Sequence, residues 1–208
     1  MNLVMKMIPF LSNSIALFLY KKKIIDDEEL TVCQYGFEII ISTIIGFLLV
    51  LLSGIILDET IEALLFYVLF IGVRLFTGGY HAATHFKCKI TLLICCLSVL
   101  IASKYLPNSI ILQIILLSVY LTAVFLFSPI EHINAPLTND EKARNRKISI
   151  IMAIALTIAC LAEYVYFPKI LLTASLTLFV IAILIIIPKI QERRKMQNEK
   201  GNRKAPLS

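Results

Sequence analysis

Apolar residues along this chain occur in long blocks rather than in a stripe that recurs every 3.6 residues. About 20 consecutive apolar residues cross the hydrocarbon core of a bilayer as a helix, so blocks of this length predict transmembrane helices. Six blocks fit, at residues 35–57, 61–76, 90–106, 109–127, 148–167 and 170–187. The pattern therefore predicts an all-α integral membrane protein of about six transmembrane helices, with residues 1–188 forming a single polytopic domain.

The N-terminal stretch, residues 1–20, differs from these blocks because polar residues and a proline interrupt it. Three lysines, Lys21, Lys22 and Lys23, follow it. A cleaved signal peptide carries its positive charge before the apolar run and small residues after it, which is the reverse of this order. The stretch is predicted to be an amphipathic helix lying in the membrane interface rather than a signal peptide or a seventh span.

Positive charge is distributed unevenly among the connections between the predicted spans. The chain has 20 Lys and Arg residues, a mean hydropathy of +0.86 and 59% hydrophobic residues. Sixteen of the basic residues fall at 21–23, 87–89, 142–147 and 189–204, and six spans put all four places on one side. The opposite connections hold only Lys104 and Lys169. Because basic loops stay in the cytoplasm, both termini, the basic tail at 189–208 and the segment that contains His81 and Cys88 are predicted to be cytoplasmic.

The same charge distribution excludes one class of partner. The basic residues adjoin predicted spans and are not interleaved with aromatic residues, so they do not form a nucleic-acid-binding module. The expected partner of this surface is the lipid bilayer, and the expected location is the cell membrane.

Residues 74–88 combine an arginine, a Gly-Gly pair, two of the three histidines and a cysteine. Cysteine is the strongest side-chain nucleophile, and histidine is the usual group that takes its proton. Cys88 lies between Lys87 and Lys89 at the start of a predicted helix, and both cations and a helix N-terminus favour a thiolate. Three other cysteines, at 95, 96 and 160, lie in apolar runs and are expected to act as small hydrophobic residues.

Spacing alone leaves three chemical interpretations of this segment open. In one continuous helix His81 and Cys88 would lie about 10.5 Å apart along the axis, too far for a hydrogen bond. Either the Gly-Gly end unwinds so that His81 reaches the thiol, or His85, three residues before Cys88, is the base. The third interpretation is a metal site of His81, His85 and Cys88, completed by a ligand from the Glu131-His132 pair. A polar membrane boundary without catalysis is a fourth alternative.

The residues Arg74, Gly78, Gly79, His81, Ala82 and Cys88, in this order and spacing, resemble the motif of the AgrB family (accessory gene regulator protein B). These proteins are integral-membrane cysteine endopeptidases that process the autoinducing-peptide precursor in quorum sensing of Gram-positive bacteria. The stretch from Ser128-Pro129 to the basic residues at 142–147 resembles the family's Pro-rich and then basic cytoplasmic loop. With the multiple spans and the basic tail, the resemblance covers nearly the whole chain.

The resemblance implies a set of roles. His81 would be the base and Cys88 the nucleophile, acting without a metal or other cofactor on an AgrD-like propeptide, and the protein would form a homodimer. Cleavage would leave a thioester on Cys88, which an internal Cys or Ser of the propeptide would attack to close a thiolactone or lactone ring. His85 has no assigned role in the motif.

Two further groups of residues could assist the reaction, and each group has two interpretations. Arg74, Gly78 and Gly79 could stabilise an oxyanion or position the substrate, or the glycines could merely end the helix while Arg74 extends to the interface. A basic group, Lys142, Arg144, Arg146 and Lys147, could bind an acidic propeptide tail, or could only set topology and contact anionic lipid.

The main competing function is a small transporter in which His81, His85 and Arg74 line a path and Cys88 is incidental. Transporters of this kind usually show paired broken helices in both halves. Only the first half of this chain has such a break, so the peptidase is favoured. A metal-dependent membrane hydrolase is the third hypothesis.

Overall fold

The computed structural model describes residues 2–78, 85–130, 138–162 and 168–204. These ranges contain seven α-helices: α1 (Asn2–Lys21), α2 (Asp27–Leu57), α3 (Thr60–Thr77), α4 (His85–Tyr105), α5 (Ile110–Phe127), α6 (Asn139–Ala162) and α7 (Pro168–Lys204). Six of them, α2 to α7, are long and apolar enough to cross a membrane. The prediction of an all-α membrane protein with six spans and an additional N-terminal helix is confirmed.

Two helices begin well before the apolar blocks that predicted them. Helix α2 begins at Asp27, where the carboxylate of Glu29 accepts the backbone N–H of Asp26 at 3.3 Å. With 31 residues it is about 46 Å long, which exceeds the roughly 30 Å hydrocarbon core, so part of it projects beyond the membrane. Helix α6 begins at Asn139, after a cap in which the N–H and hydroxyl of Thr138 contact the Glu141 carboxylate at 2.9 and 3.0 Å.

These starts correct one placement made from the sequence. The basic residues at 142–147 belong to the first turns of α6, not to a loop. The last five residues of the predicted span 148–167 lie outside the described ranges. Helix α7 continues through Pro188 to Lys204, so the backbone of most of the basic tail is helical.

Helix α7 is the centre of the bundle. In its most apolar segment 67% of the residues are buried, against 22–33% in the other five spans. It packs mainly against α5 and α3, and also against α4. Leu178 and Ile181 of α7 are fully buried, as are Phe66 of α3 and Tyr120 of α5. Exposed residues such as Ile56, at 79% exposure, lie on the outer faces of the helices, where a membrane protein meets lipid.

Helix α1 lies antiparallel to the N-terminal half of α2. Its buried residues Ile8, Ser12 and Ala16 recur every four positions and form one face. The Ser12 hydroxyl donates to the Glu38 carboxylate at 3.4 Å, and the Tyr20 phenol hydrogen-bonds with Asp27. The structure therefore adds a packed hairpin to the predicted N-terminal helix, whose position in the interface stays a prediction.

A salt bridge joins α3 and α7 at one end of the bundle, here called the Lys169 end. The Lys169 ammonium lies 2.6 Å from the Glu59 carboxylate and 3.3 Å from that of Glu62. Both glutamates are buried, with 3% and 9% exposure. The Lys104 ammonium donates to the Leu57 carbonyl at the same end, at 3.4 Å. The two basic residues that the charge analysis placed on this side are thus held there by neighbouring acceptors.

Candidate functional site

Cys88 lies in the first turns of α4, at the end of the bundle opposite Lys169, here called the Cys88 end. Its side chain is half-buried and is not in a disulfide. The first turn of a helix presents backbone N–H groups that have no partner within the helix and carries a partial positive charge. Cys88 is therefore placed near the positive end of the α4 helix dipole.

Two cations lie near the Cys88 sulfur. The Arg74 guanidinium, in the last turn of α3, is close enough to interact electrostatically with Cys88 and with Cys95. It also lies over the ring of Phe70, 5.0 Å from the ring centre. The Lys89 ammonium is within electrostatic range of Cys88 as well. The structure thus brings together two residues that the motif spaces 14 positions apart, Arg74 and Cys88.

Gly78 ends α3 in a backbone conformation that only glycine adopts easily. Its φ is +68° and its ψ −150°, and a Cβ at this position would overlap the carbonyl of Ile130. Gly78 pairs with Ile130 as a short parallel bridge, in which the Ile130 N–H donates to the Thr77 carbonyl at 2.9 Å. The sequence allowed the helix to unwind at the Gly-Gly pair, and α3 ends there, whereas residues 79–84 lie outside the described ranges.

The backbone N–H of Gly78 already forms a hydrogen bond. It donates to the Arg74 carbonyl at 3.1 Å, closing the last turn of α3. In this conformation the Gly78 N–H therefore cannot donate to an oxyanion. Oxyanion stabilisation was one of the two roles that the sequence suggested for Gly78. The geometry favours the alternative role, in which the glycine ends the helix.

Several predicted site residues lie outside the described residues. These are Gly79, His81, Glu131 and His132. The backbone of His85 begins α4, but its side chain is not described. Within the described part of the chain, no group of three or more His, Cys, Asp or Glu side chains could hold a metal ion. The choice between His81 and His85 as the base of Cys88 therefore stays a prediction.

The four basic residues of the predicted propeptide-binding group do not share one environment. The Arg146 guanidinium donates to the carbonyls of Ser128 and Phe125 at 3.3 and 3.4 Å, and so caps the C-terminal end of α5. The Arg144, Arg146 and Lys147 side chains are all exposed, and that of Lys142 is half-buried, so the hydrogen bonds rather than burial distinguish Arg146. Arg146 therefore holds α5 and α6 together at the Cys88 end, whereas Arg144 and Lys147 face outwards.

Sequence reasoning treated Lys87 and Lys89 as equivalent neighbours of Cys88, and the structure separates them. Lys87 is exposed, whereas Lys89 is half-buried and lies across Gly46 of α2. A Cβ at Gly46 would lie 3.1 Å from the Lys89 ammonium and 3.1 Å from a terminal carbon of Leu92. A glycine in an apolar helix often marks such a close approach, which is the signal that could have identified this contact.

Comparison with known proteins agrees with the motif. The family described as Accessory gene regulator B matches residues 12–187 of the chain. An AgrB-like protein of Clostridium perfringens (strain 13 / Type A) is 28% identical over 151 residues, which cover 68% of this chain and 71% of the relative. An AgrB-like protein of C. perfringens (strain SM101 / Type A) is 27% identical with the same coverage. No solved structure matches the chain. Because the family match extends over most of its length, the chain belongs to the AgrB family.

Proposed function

We propose that this protein is a membrane-embedded cysteine endopeptidase that removes the C-terminal tail of a small AgrD-like propeptide. Membership of the AgrB family supports a role in autoinducer processing in general and a multi-pass membrane location. The observation that best supports the finer proposal is the position of Cys88. It is half-buried, lies in the first turns of a helix and has the Arg74 and Lys89 cations within electrostatic range.

The proposed first step is acyl transfer to Cys88. His81 takes the proton of the Cys88 thiol, and the sulfur attacks one peptide carbonyl of the propeptide. The C–N bond then breaks, the tail leaves as an amine with the proton returned by His81, and the rest of the propeptide remains on Cys88 as a thioester.

The proposed second step closes a ring. A Cys or Ser within the bound propeptide attacks the thioester carbonyl, the C–S bond to Cys88 breaks, and a thiolactone or lactone forms while Cys88 regains its proton. An internal nucleophile held next to the thioester has a high effective molarity, which favours ring closure over hydrolysis. A site at the mouth of a helix bundle limits water further.

Arg74 is the residue proposed to balance negative charge during both steps. Negative charge develops on the sulfur and then on the carbonyl oxygen of the tetrahedral intermediate, and a fixed cation near both stabilises them. The Gly78 N–H is already bonded, so Gly78 is assigned to ending α3 and Gly79 is kept as a candidate oxyanion donor. For the propeptide's acidic tail, the proposal keeps Lys142, Arg144 and Lys147 and gives Arg146 its capping role.

The proposed orientation puts the Cys88 end in the cytoplasm. Lys87, Arg144 and Lys147 lie at this end, whereas Lys104 and Lys169 lie at the other. The positive-inside rule then makes both termini and the active site cytoplasmic. A homodimer is part of the proposal on the family resemblance alone.

The test is co-expression with the cognate propeptide followed by mass analysis of the peptide products. The wild type is expected to remove the tail, and Cys88→Ala to leave the propeptide intact. The controls are Cys95→Ala, Cys96→Ala and Cys160→Ala, which should all process it, because these buried cysteines lie in the packed core. Full processing by a correctly inserted Cys88→Ala variant would end the cysteine-peptidase proposal.

A further inference from the structure

An apolar groove runs along the outside of the bundle between α4 and α7 and encloses about 370 Å³. Its floor consists of buried side chains, among them Cys95, Val99, Leu176 and Leu184. Its rim includes Ile94 and Ile183, which are 59% and 40% exposed. The groove is therefore open on its outer side, which is the side that faces lipid in a membrane-spanning bundle. Its volume lies within the usual range of ligand sites.

A basic residue continues the groove towards the Cys88 end. Residues 87, 91, 94, 98 and 102 of α4 recur every three to four positions and so share one face of the helix. Ile94, Ser98 and Ala102 of this face line the groove, and Lys87 lies seven residues before Ile94. At 1.5 Å per residue, the groove spans depths of about 10 to 22 Å below Lys87. The α4 surface thus carries a cation at its end and apolar residues beneath it.

The depth of the groove and its apolar lining favour some kinds of occupant over others. An extended peptide at this depth would bring backbone N–H and C=O groups that need partners, and each unsatisfied group costs several kcal/mol. Ser98 is the one polar side chain that lines the groove within the described residues. An acyl chain has no such groups, and half of a bilayer with its headgroups is about 20–22 Å thick, which matches the distance from Lys87 to the far end of the groove.

We propose that the α4–α7 groove binds one acyl chain of an anionic phospholipid whose headgroup lies against Lys87. Juxtamembrane cations attract anionic headgroups, and basic sites between transmembrane helices hold them. The charge of Lys87 supplies the headgroup preference, and the groove supplies the fit for the chain. This inference does not depend on the peptidase proposal, because it is argued from Lys87 and the groove lining and uses neither the Cys88 sulfur nor its base.

The experiment measures lipid retained by the purified full-length protein. The protein is equilibrated in mixed micelles with equal amounts of phosphatidylglycerol and phosphatidylcholine, and bound lipid is counted by native mass spectrometry. The wild type is expected to retain one phosphatidylglycerol with a preference of about fivefold, as one lysine near the surface provides. Lys87→Gln should lower the preference to about one. Lys104→Gln, at the other end of α4, is the matched control and should keep it.

Substitutions that fill the groove test whether it binds the acyl chain of the lipid. Ala102→Phe and, as a second variant, Ser98→Phe should each lose most of the bound phosphatidylglycerol. The matched control Ile101→Phe adds an aromatic ring to an adjacent residue that is 48% exposed and outside the groove, and it should retain the lipid. Monodisperse elution and an unchanged melting temperature are required of each variant that is compared.

Three results would overturn the proposal. The first is retention of phosphatidylglycerol by well-folded Ala102→Phe and Ser98→Phe at the wild-type level. The second is equal retention of the two lipids by the wild type, since this would leave Lys87 without a role. The third is efficient disulfide cross-linking of Ser98→Cys to a second copy in native membranes, which would identify the occupant as another protomer.

Discussion

Gly78 and Ile130 form a bridge that joins the end of α3 to the segment after α5, and the Cβ of any other residue at 78 would overlap the Ile130 carbonyl. The Arg146 guanidinium donates to the carbonyls of Phe125 and Ser128 on the same segment. The ends of α3 and α5 and the first part of α6 therefore meet at residues 125–130, at the same end of the bundle as Cys88. The geometry of the Cys88 end depends on contacts between residues that are far apart in the sequence.

The bridge predicts that Gly78→Ala is damaging. Its φ of +68° and ψ of −150° lie in a region that is essentially restricted to glycine and costs an L-residue about 1–3 kcal/mol, and the overlap with Ile130 adds to this. We expect a lower melting temperature and a loss of propeptide cleavage. The matched control is Gly72→Ala in the same helix, where nothing lies within 4 Å of the added Cβ. Because alanine favours a helix, this control should be neutral or slightly more stable. Equal stability of the two variants would contradict the role given to Gly78.

His81→Ala is expected to abolish tail removal, and His85→Ala to retain most of it. The reason is the motif, in which the histidine three residues after the first glycine is the base, whereas helical spacing favours His85. Mass analysis of the propeptide distinguishes the two variants. The reverse result would assign the base to His85, and loss of wild-type activity on adding a strong chelator would restore the metal hypothesis.

Arg74 is expected to act through its charge on Cys88. Alkylation of Cys88 by iodoacetamide, measured without propeptide by peptide mapping, should be slower in Arg74→Gln than in the wild type. Arg74→Lys should fall between them, since lysine keeps the charge but lacks the planar guanidinium. Lys104→Gln, at the other end of α4, should react at the wild-type rate. Unchanged alkylation in a well-folded Arg74→Gln variant would limit Arg74 to packing against Phe70.

The sequence was sufficient for the number of spans because span length and hydropathy are local properties. It misplaced the starts of α2 and α6, since these depend on polar caps that lie outside the apolar blocks. The Thr138-x-x-Glu141 cap was readable, because this spacing is a known helix-start signal.

Contacts between distant residues were not readable in the same way. The break at Gly78 could be predicted from glycine chemistry, but its partner Ile130 lies 52 positions later. The difference between Lys87 and Lys89 depends on the rotation of α4 against α2, which follows from packing at Gly46. Likewise, the capping role of Arg146 needed the position of α5 relative to α6.

Gly46 is expected to tolerate small side chains and to reject large ones. The nearest atoms to its added Cβ, at 3.1 Å, are the flexible ends of Lys89 and Leu92, so Gly46→Ala should have a small effect. Gly46→Leu should destabilise the fold by about 1–3 kcal/mol, as overpacking usually does. Gly36→Leu is the control, because Gly36 of α2 has nothing within 4 Å. The measurement is the melting temperature of each purified variant. Equal melting temperatures for Gly36→Leu and Gly46→Leu would contradict the close α2–α4 contact.

Reversing the charge of the basic residues should show which of them bind the propeptide and which stabilise the fold. A triple Lys142→Glu, Arg144→Glu, Lys147→Glu variant should lose propeptide cleavage but not stability, and raised salt should reduce wild-type cleavage, because exposed charges are screened over about 8–10 Å. Arg146→Gln should instead lower the melting temperature at any salt concentration, since it removes the cap on α5. Cleavage that is unchanged in a correctly inserted triple variant would assign these residues to topology alone.

The central position of α7 determines the order in which the bundle can be completed. This helix is the last of the chain, yet α3 and α5 pack on it more extensively than they pack on most of their sequence neighbours. Helices insert into a membrane individually and associate afterwards. Before the sixth span is inserted, the first five can pair with one another only in part, because the faces of α3, α4 and α5 that pack on α7 have no partner. A nascent chain that stops before residue 168 therefore lacks the helix around which the others assemble.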